Sequence, residues 1–203
     1  MPDPTYLFLG DSITDAGHLW EENPRMLGQG FVRKISEHRE FLHARLINRG
    51  QDGFTSADLL RLTRRLSSLE SCDCITILIG VNDLSVARYA NPTWVPDIFS
   101  ENIQQLLTLI RRSYKKHLLL MEPFLFVPPN EHMHLLPFLT EERHILQNAA
   151  RTFDGEYVPL QQSLDSAVQK QGLHAITVDS IHLTDMGNQI LANRWIETFD
   201  RLN

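Results

Sequence analysis

The chain has 203 residues, of which 42% are hydrophobic and 22% are charged, and its formal net charge is −6. These values exclude collagen-like, disordered and disulfide-scaffold proteins. A chain of this length buries enough surface to fold without disulfides or a structural metal. The acidic balance argues against a nucleic-acid partner, since basic residues occur only in short pairs on predicted helix faces. We expect a single domain over residues 1–203, because α/β domains often run to roughly 200–250 residues.

The sequence contains no apolar run of the roughly 18 residues that a membrane span needs. The first residues, Met1–Thr5, lack the basic region of a signal peptide, so we expect a cytoplasmic protein without a membrane span. Cys72 and Cys74 stand two residues apart, a spacing that suits neither a strain-free disulfide nor a four-ligand zinc site. Both are therefore expected to be buried or half-buried thiols.

Short apolar runs along the chain are typical of buried β-strands. The predicted strands are Tyr6–Leu9, Arg45–Asn48, Ile75–Ile79, His117–Met121 and Tyr157–Leu160. Pro159 has no N–H for a sheet hydrogen bond, so the last of these strands is expected at an edge of the sheet.

Apolar residues recur at helical spacing between these runs. The spacing predicts helices over Phe31–Phe41, Leu59–Leu69, Ile103–Tyr114, Ile145–Phe153 and Met186–Leu202. Ser56 is the predicted cap of the second of these helices and Thr184 that of the last. The fourth helix is predicted to follow Thr140, with Glu141 and Glu142 in its first turn. Strands that are apolar throughout and alternate with helices indicate a parallel sheet with helices on both faces.

Two segments, Leu84–Pro96 and Glu122–Pro137, show neither helical nor strand periodicity. Loops of that length in a compact domain are usually functional or disordered. The aromatic residues in or near such loops line a substrate pocket or belong to the core, and the sequence leaves both readings open for Trp20, Tyr89, Trp94, Phe124 and Phe126.

Polar and glycine-rich segments follow the predicted strands. They are Gly10–Gly17, Asn48–Thr55, Gly80–Asp83 and, shortly before the last helix, Asp179–His182. Because ligand sites in open α/β sheets form at the carboxyl ends of the strands, we expect these segments to converge at one end of the sheet.

The residues in these segments can fill every role of a serine hydrolase. Ser12 is a candidate nucleophile, and His182 is a candidate base that would take its proton. Asp179, three residues before His182, can hold the other ring nitrogen and fix the tautomer. The backbone N–H groups of Ser12 and Gly53 and the side-chain amide of Asn82 are candidate donors to an oxyanion.

The four segments resemble the motif blocks of the SGNH hydrolases, also called GDSL-type esterases and lipases. The sequence has Gly-Asp-Ser followed by Ile-Thr-Asp, then Asn-x-Gly-x-x-Gly-x-Thr, Gly-x-Asn-Asp and Asp-x-x-His, in that order from Gly10 to His182. The resemblance implies a three-layer α/β/α sandwich with a five-stranded parallel, flavodoxin-like sheet. It also implies ester hydrolysis without a metal or organic cofactor, with Gly53 and Asn82 in the oxyanion hole.

The residues Gly10–Gly17, Leu27–Val32 and Asn48–Gly50 are similar to those of the intracellular carbohydrate acetylesterases, such as acetylxylan esterases. This branch implies short acyl groups, acetyl above all, on a carbohydrate. Two positions depart from it. Val178 stands where the branch has a Trp that helps to shape the acyl pocket, and Leu183 stands where it has Pro.

Two other functions stay open from the sequence. A lipase or lysophospholipase would need an apolar acyl channel, which Phe124–Val127 of the second long segment could supply. A non-catalytic flavodoxin-like module could hold a phosphate on the loop after the first strand. Asp11 and Asp15 would repel that anion, and Asp179 and His182 would have no role there.

A metal site at Glu131, His132 and His134 is disfavoured, because three ligands crowded into four loop residues rarely give matched geometry. The expected partner is a small-molecule ester, and assembly into a homo-oligomer is left open by the sequence.

Overall fold

The computed structural model describes residues 3–18, 23, 25–66, 69–84, 95–127 and 130–202. Five parallel strands form one sheet in the order β2-β1-β3-β4-β5. The strands are β1 (Thr5–Gly10), β2 (Arg45–Gly50), β3 (Cys74–Leu78), β4 (His117–Met121) and β5 (Glu156–Val158). The predicted fold class is confirmed, since this is the flavodoxin-like strand order.

Helices connect the strands. They are α1 (Ser12–Asp15), α2 (Phe31–Glu37), α3 (Ser56–Thr63), α4 (Val95–Ser113), α5 (Leu136–Thr152), α6 (Gln161–Gln171), α7 (Leu173–Ile176) and α8 (Asp185–Phe199). Short 3₁₀ turns lie at Arg39–Phe41, Leu69–Ser71, Asn130–Leu135 and Asp200–Leu202. Over the described residues, no helix is long and apolar enough to cross a membrane.

The sheet separates two apolar cores. Side chains alternate along β1, so that Tyr6 and Phe8 pack against one set of helices, while Leu7 and Leu9 pack against the other. The first core contains residues of α2, α6 and α8, and the second contains residues of α3, α4 and α5. Both faces of the sheet are covered, as a parallel sheet requires.

Aromatic rings dominate the first core. The ring of Trp195 stacks on Phe199 with centroids 4.9 Å apart, and Tyr6 and Phe41 pack edge-on around them. The indole N–H of Trp195 donates to Thr76 Oγ1 at 2.8 Å, so the one polar atom of this buried ring is satisfied. This cluster fixes α8 against the centre of the sheet.

Several predicted boundaries are wrong. The cap of α3 is Thr55 rather than Ser56, because Thr55 and Asp58 form a reciprocal capping box. Helix α5 begins at Leu136 rather than after Thr140, since Pro137 is tolerated in a first helical turn. The segment Glu122–Pro137 therefore ends in ordered helical turns. Helix α6 was not predicted, because its only buried apolar side chain is Leu164.

Other expectations are confirmed. The strand β5 lies at an edge of the sheet, and Pro159 follows it directly. Cys72 and Cys74 are free and buried. The sequence left both a pocket and the core open for Phe124 and Phe126, and the structure places them in the core. Trp20, Tyr89 and Trp94, together with most of the segment Leu84–Pro96, lie outside the described residues.

Candidate active site

The polar segments converge at the carboxyl end of the sheet. The chain runs from β1 to β2 on one side and then returns to β3 on the other side of β1, so the direction of winding reverses beside β1. A crevice at this switch point is where open α/β sheets bind ligands. Ser12 follows β1, Gly53 follows β2 and Asn82 follows β3.

Ser12 begins the one-turn helix α1. The side chain of Asp11 caps this turn by accepting the N–H of Ile13 at 3.0 Å, and Ala16 ends it in the left-handed conformation with φ 48°. A Cβ at Gly10 would lie 2.3 Å from Thr14 Oγ1 and 2.4 Å from the carbonyl oxygen of Leu78. Only glycine allows the chain to turn this tightly from β1 into α1.

The second segment fastens this turn to the sheet. The Asn48 side-chain amide donates to the carbonyl oxygens of Thr14 at 2.6 Å and Leu27 at 2.9 Å, and its oxygen accepts the N–H of Gly50 at 2.8 Å. A Cβ at Gly50 would lie 2.2 Å from the backbone nitrogen of Asp15. Asn48 and Gly50 therefore hold the turn that carries Ser12, a role that their motif alone does not indicate.

Ser12, His182 and Asp179 form one hydrogen-bonded chain. Ser12 Oγ lies 2.9 Å from His182 Nε2, and His182 Nδ1 lies 2.6 Å from Asp179 Oδ2. Asp179 Oδ1 also accepts the backbone N–H groups of Ile181 at 3.0 Å and His182 at 2.7 Å. Partial burial alone would raise the pKa of Asp179, but these hydrogen bonds lower it below its usual value.

An ionised Asp179 places the proton of the neutral ring on Nδ1 and leaves the lone pair of Nε2 facing Ser12. The loop that carries the pair is itself braced. The carbonyl oxygen of His182 accepts from the Val178 N–H at 2.9 Å and the Thr177 hydroxyl at 2.7 Å. This arrangement can remove the Ser12 proton as the hydroxyl attacks an electrophile.

Gly53 lies in a turn, and Asn82 lies in a short helical segment at residues 81–84 that is linked to this turn. Gly53 has φ +71°, a conformation that favours glycine, and the Phe54 N–H closes its turn on the carbonyl oxygen of Gln51 at 3.2 Å. The Asn82 side-chain amide donates to the carbonyl oxygen of Phe54 at 2.9 Å, which orients the amide. Within the described ranges, no residue accepts a hydrogen bond from the N–H of Ser12 or of Gly53. Both donors are thus available to a ligand.

Ser12 and His182 open into a cleft of about 810 Å³. Its other lining residues are mostly polar or small: Asp15, Ala16, Gly17, His18, Gln29, Asp52, Leu183, Asp185 and Asn188. His132 Nδ1 donates to the carbonyl oxygen of Phe126 at 3.2 Å. Among the residues that the structure describes, no group of three or more His, Cys, Asp or Glu side chains is placed to hold a metal.

The model of the GDSL-like lipase/acylhydrolase family matches residues 8–190 of the chain. The chain belongs to this family. That membership makes it a carboxylic ester hydrolase, and it confirms the predicted resemblance to the GDSL-type enzymes.

Relatives of this GDSL acylhydrolase cover almost its whole length. An acetylxylan esterase from Geobacillus stearothermophilus is 24% identical over 202 residues, which span 94% of this chain and 91% of that protein. A solved structure from Parabacteroides merdae, described as a GDSL-like lipase, has a TM-score of 0.85 and 26% identity, covering 97% of this chain and 95% of its own. An α/β hydrolase from the metagenome of Lake Arreo, Spain, has a TM-score of 0.83 at 23% identity, with 98% and 96% covered.

Three buried acids lie beneath the site of this acylhydrolase. Burial raises the pKa of Asp11 to about 7 and that of Asp83 to about 6, and it raises the pKa of Glu142 well above its usual value. Asp83 accepts the N–H of Ser56 at 2.9 Å and its hydroxyl at 2.5 Å, so it braces the start of α3. The predicted place of Glu142 in a first helical turn is wrong, because it lies one turn further on and is fully buried.

Glu142 is the least satisfied of these acids. Among the described residues, neither of its side-chain oxygens has a hydrogen-bond partner, and a Cβ at Gly80 would lie 2.7 Å from Oε2. Burial without a hydrogen-bond partner penalises the charged form, so the pKa of an acid in such a place is raised. No local pattern in the sequence could have indicated that Glu142 is buried, since Glu141 beside it is exposed.

Replacement of Glu142 is expected to stabilise the protein at alkaline pH. The unfolded chain releases the Glu142 proton near pH 4.3 and the folded chain only at higher pH, so this group's stabilisation is lost as pH rises through that window. Glu142→Gln should flatten the fall in the free energy of unfolding between pH 5 and 9, measured by urea denaturation. Glu142→Met should raise that free energy at pH 8 by about 1–3 kcal/mol.

The exposed neighbour gives the control, since Glu141→Gln should leave the pH dependence of unfolding as it is. An unchanged slope in the Glu142→Gln protein would show that Glu142 already ionises freely in the folded state.

Proposed function

We propose that this GDSL acylhydrolase is a serine esterase that removes short acyl groups, acetyl above all, from carbohydrates. The observation that carries the proposal is the chain of hydrogen bonds from Ser12 Oγ through His182 to Asp179, at 2.9 and 2.6 Å. A serine hydroxyl needs such a base to become a nucleophile, and the base needs a carboxylate to fix its tautomer.

In the proposed reaction, Ser12 Oγ attacks the ester carbonyl carbon while its proton passes to His182 Nε2. Asp179 stabilises the imidazolium that results. The oxyanion of the tetrahedral intermediate accepts from the N–H groups of Ser12 and Gly53 and from the Asn82 amide. His182 then protonates the leaving alcohol, and an acyl group remains on Ser12 as an ester.

Deacylation reverses these roles with water as the nucleophile. His182 takes a proton from the water, whose oxygen attacks the acyl carbon in the same oxyanion hole. Collapse of the second intermediate releases the carboxylic acid and returns the proton to Ser12. The residues in place are sufficient for both half-reactions.

The polar cleft supports a carbohydrate alcohol. Gln29 and Asp185 line the cleft with exposed side chains, which offer a donor and acceptors for hydroxyl groups beside the nucleophile. The similarity to the acetylxylan esterase from Geobacillus stearothermophilus extends over nearly the whole chain and points the same way. A further solved structure of that esterase has a TM-score of 0.80 at 23% identity, over 98% of this chain and 96% of its own.

The lipase alternative needs an apolar acyl channel, and its predicted source is wrong. Phe124, Leu125 and Phe126 have exposed fractions of 0%, 3% and 2% and pack in the first core. They are therefore not available to line the cleft. The non-catalytic alternative gives no account of the His182–Asp179 pair, which has the geometry of a base and its orienting group.

The nucleophile assignment is tested by Ser12→Ala. Turnover of p-nitrophenyl acetate should fall by about 10⁴-fold or more, because His182 has no hydroxyl left to deprotonate. The control is Ser166→Ala, on an exposed face of α6. Wild-type rates from a folded Ser12→Ala protein would sink the assignment.

The oxyanion role of Asn82 is tested by Asn82→Ala. We expect kcat to fall by about 10²–10³-fold with little change in KM, because the oxyanion exists only after attack on the carbonyl. Steady-state kinetics on p-nitrophenyl acetate give both constants, and Asn193→Ala on the exposed face of α8 is the control. An unchanged kcat with a raised KM would instead place Asn82 in ground-state binding.

The acyl specificity is tested with p-nitrophenyl esters from acetate to decanoate. We expect kcat/KM to peak at acetate and to be lower at octanoate by about tenfold or more, since a short acyl pocket rejects added methylenes. Release of acetate from acetylated xylo-oligosaccharides tests the alcohol in the same assay series. A peak at longer chains, without release of acetate from the oligosaccharides, would move the function to the lipases.

A further inference from the structure

Asp15 links the nucleophile turn to the turn that carries Gly53. It lies three residues after Ser12 on the single turn of α1. Its Oδ2 accepts the backbone N–H of Asp52 at 3.1 Å, and its Oδ1 accepts the backbone N–H of His18 at 3.0 Å and the ring Nδ1 of His18 at 2.9 Å. Both carboxylate oxygens are thus committed to the protein.

His18 makes the direction of this carboxylate rigid. Its side chain is only 1% exposed, whereas that of Asp15 is 18% exposed at the wall of the cleft. Because Asp15 can only accept while it is ionised, Nδ1 of His18 carries the proton of their hydrogen bond. The buried His18 ring therefore holds Oδ1 of Asp15 in place. Oδ2 then keeps a fixed position relative to the backbone N–H of Asp52.

The turn that Asp15 holds has little packing of its own. Asp52 and Gly53 are exposed, and no atom of the described residues, other than those adjoining Gly53, lies within 4 Å of a Cβ built on it. The turn is held instead by hydrogen bonds. Gln51 N–H donates to the Gly10 carbonyl at 3.1 Å, Asp52 N–H donates to Asp15, and the Phe54 carbonyl accepts from the Asn82 side chain. The Asp15 contact lies directly before Gly53.

We infer that Asp15 is a positioning residue for the oxyanion hole, and the inference rests on the proposed function. Asp15 holds the Asp52–Gly53 turn so that the Gly53 N–H keeps its place relative to Ser12 Oγ. Because Ser12 and Asp15 share one helical turn, the nucleophile and this oxyanion donor move as a unit. Asp15 does not touch the reacting atoms, and its effect passes through the backbone of Asp52.

Asp15→Asn tests the inference, because an amide has one acceptor oxygen and cannot accept from both His18 and Asp52. We expect kcat on p-nitrophenyl acetate to fall by about 10–100-fold with KM changed less than about threefold, since a small misplacement of a catalytic group costs on the order of 100-fold. Affinity for methylboronic acid, whose adduct with Ser12 is tetrahedral, should fall in parallel. If Asp15 only stabilised the fold, Asp15→Asn would lower the melting temperature and leave kcat, KM and the affinity for methylboronic acid at their wild-type values.

Two substitutions at Asp52 separate charge from geometry. Asp52→Asn removes a carboxylate from the same cleft but keeps the backbone N–H, so it measures the effect of charge. Asp52→Pro deletes the N–H that Asp15 holds and leaves Asp15 and His18 as they are. The inference predicts that Asp52→Pro reproduces the kcat and boronic-acid losses of Asp15→Asn, and it stays testable if the Asp15 variant fails to fold.

The outcomes distinguish this inference from the proposed function. The positioning role is wrong if Asp52→Asn loses as much kcat as Asp15→Asn. It is also wrong if the folded Asp15→Asn and Asp52→Pro proteins both keep the wild-type kcat. In either case the assignment of a Ser12-dependent esterase stands. If the wild-type protein shows no Ser12-dependent hydrolysis of any ester tested, the proposed function fails first, and boronic-acid affinity alone then decides whether Asp15 orders the turn.

Discussion

The close approach of backbone to backbone around α1 is the constraint on which the site depends. The turn after β1 lies so near the ends of the neighbouring strands that a Cβ at Gly10 or at Gly50 would overlap backbone atoms, at 2.4 and 2.2 Å. Side chains cannot fill such gaps, so hydrogen bonds hold the turn instead. Asn48 binds its carbonyl oxygens from the side of β2, and Asp15 extends from it to the turn of Gly53. Ser12 is thereby placed by close backbone packing and by side-chain hydrogen bonds to the main chain, which leave little room for adjustment.

Carboxylates at this end of the sheet have opposite electrostatic surroundings. Asp179 is half exposed and accepts three hydrogen bonds, so its pKa is lowered and its charge persists beside His182. Asp11 and Glu142 are buried, and burial raises their pKa values. Groups of one chemical type thus serve different purposes, because solvent access and hydrogen bonds separate their pKa values. The buried acids, whose pKa values are raised, cap a turn or fill space, and Asp179 is hydrogen-bonded to the His182 ring.

The strands and the polar segments could be predicted because each is a local pattern. An apolar run bounded by glycine marks β3, and the rule for parallel sheets then brings Ser12, Gly53 and Asn82 to one edge. The remaining features depend on contacts between distant parts of the chain. The burial of Glu142 depends on how α5 packs beneath Gly80, and the link from Asp15 to Asp52 joins residues 37 positions apart. The cap at Thr55 rather than Ser56 was missed for a different reason, since both residues are good caps and only the position of Asp58 decides between them.

The surroundings of His182 bear on how such a site selects its substrate. Val178, directly before Asp179, is 64% exposed. Leu183, directly after His182, lines the cleft beside Asp185 and Asn188. An apolar wall around the acyl group would have to come from large side chains, whereas the described wall is made mainly of small and polar ones. A small acyl group needs only the space beside Ser12, and a polyhydroxy alcohol can exchange its bonds to water for bonds to this wall. The same polar lining gives a long acyl chain little to pack against, which is the physical basis for proposing an acetylated sugar as the substrate.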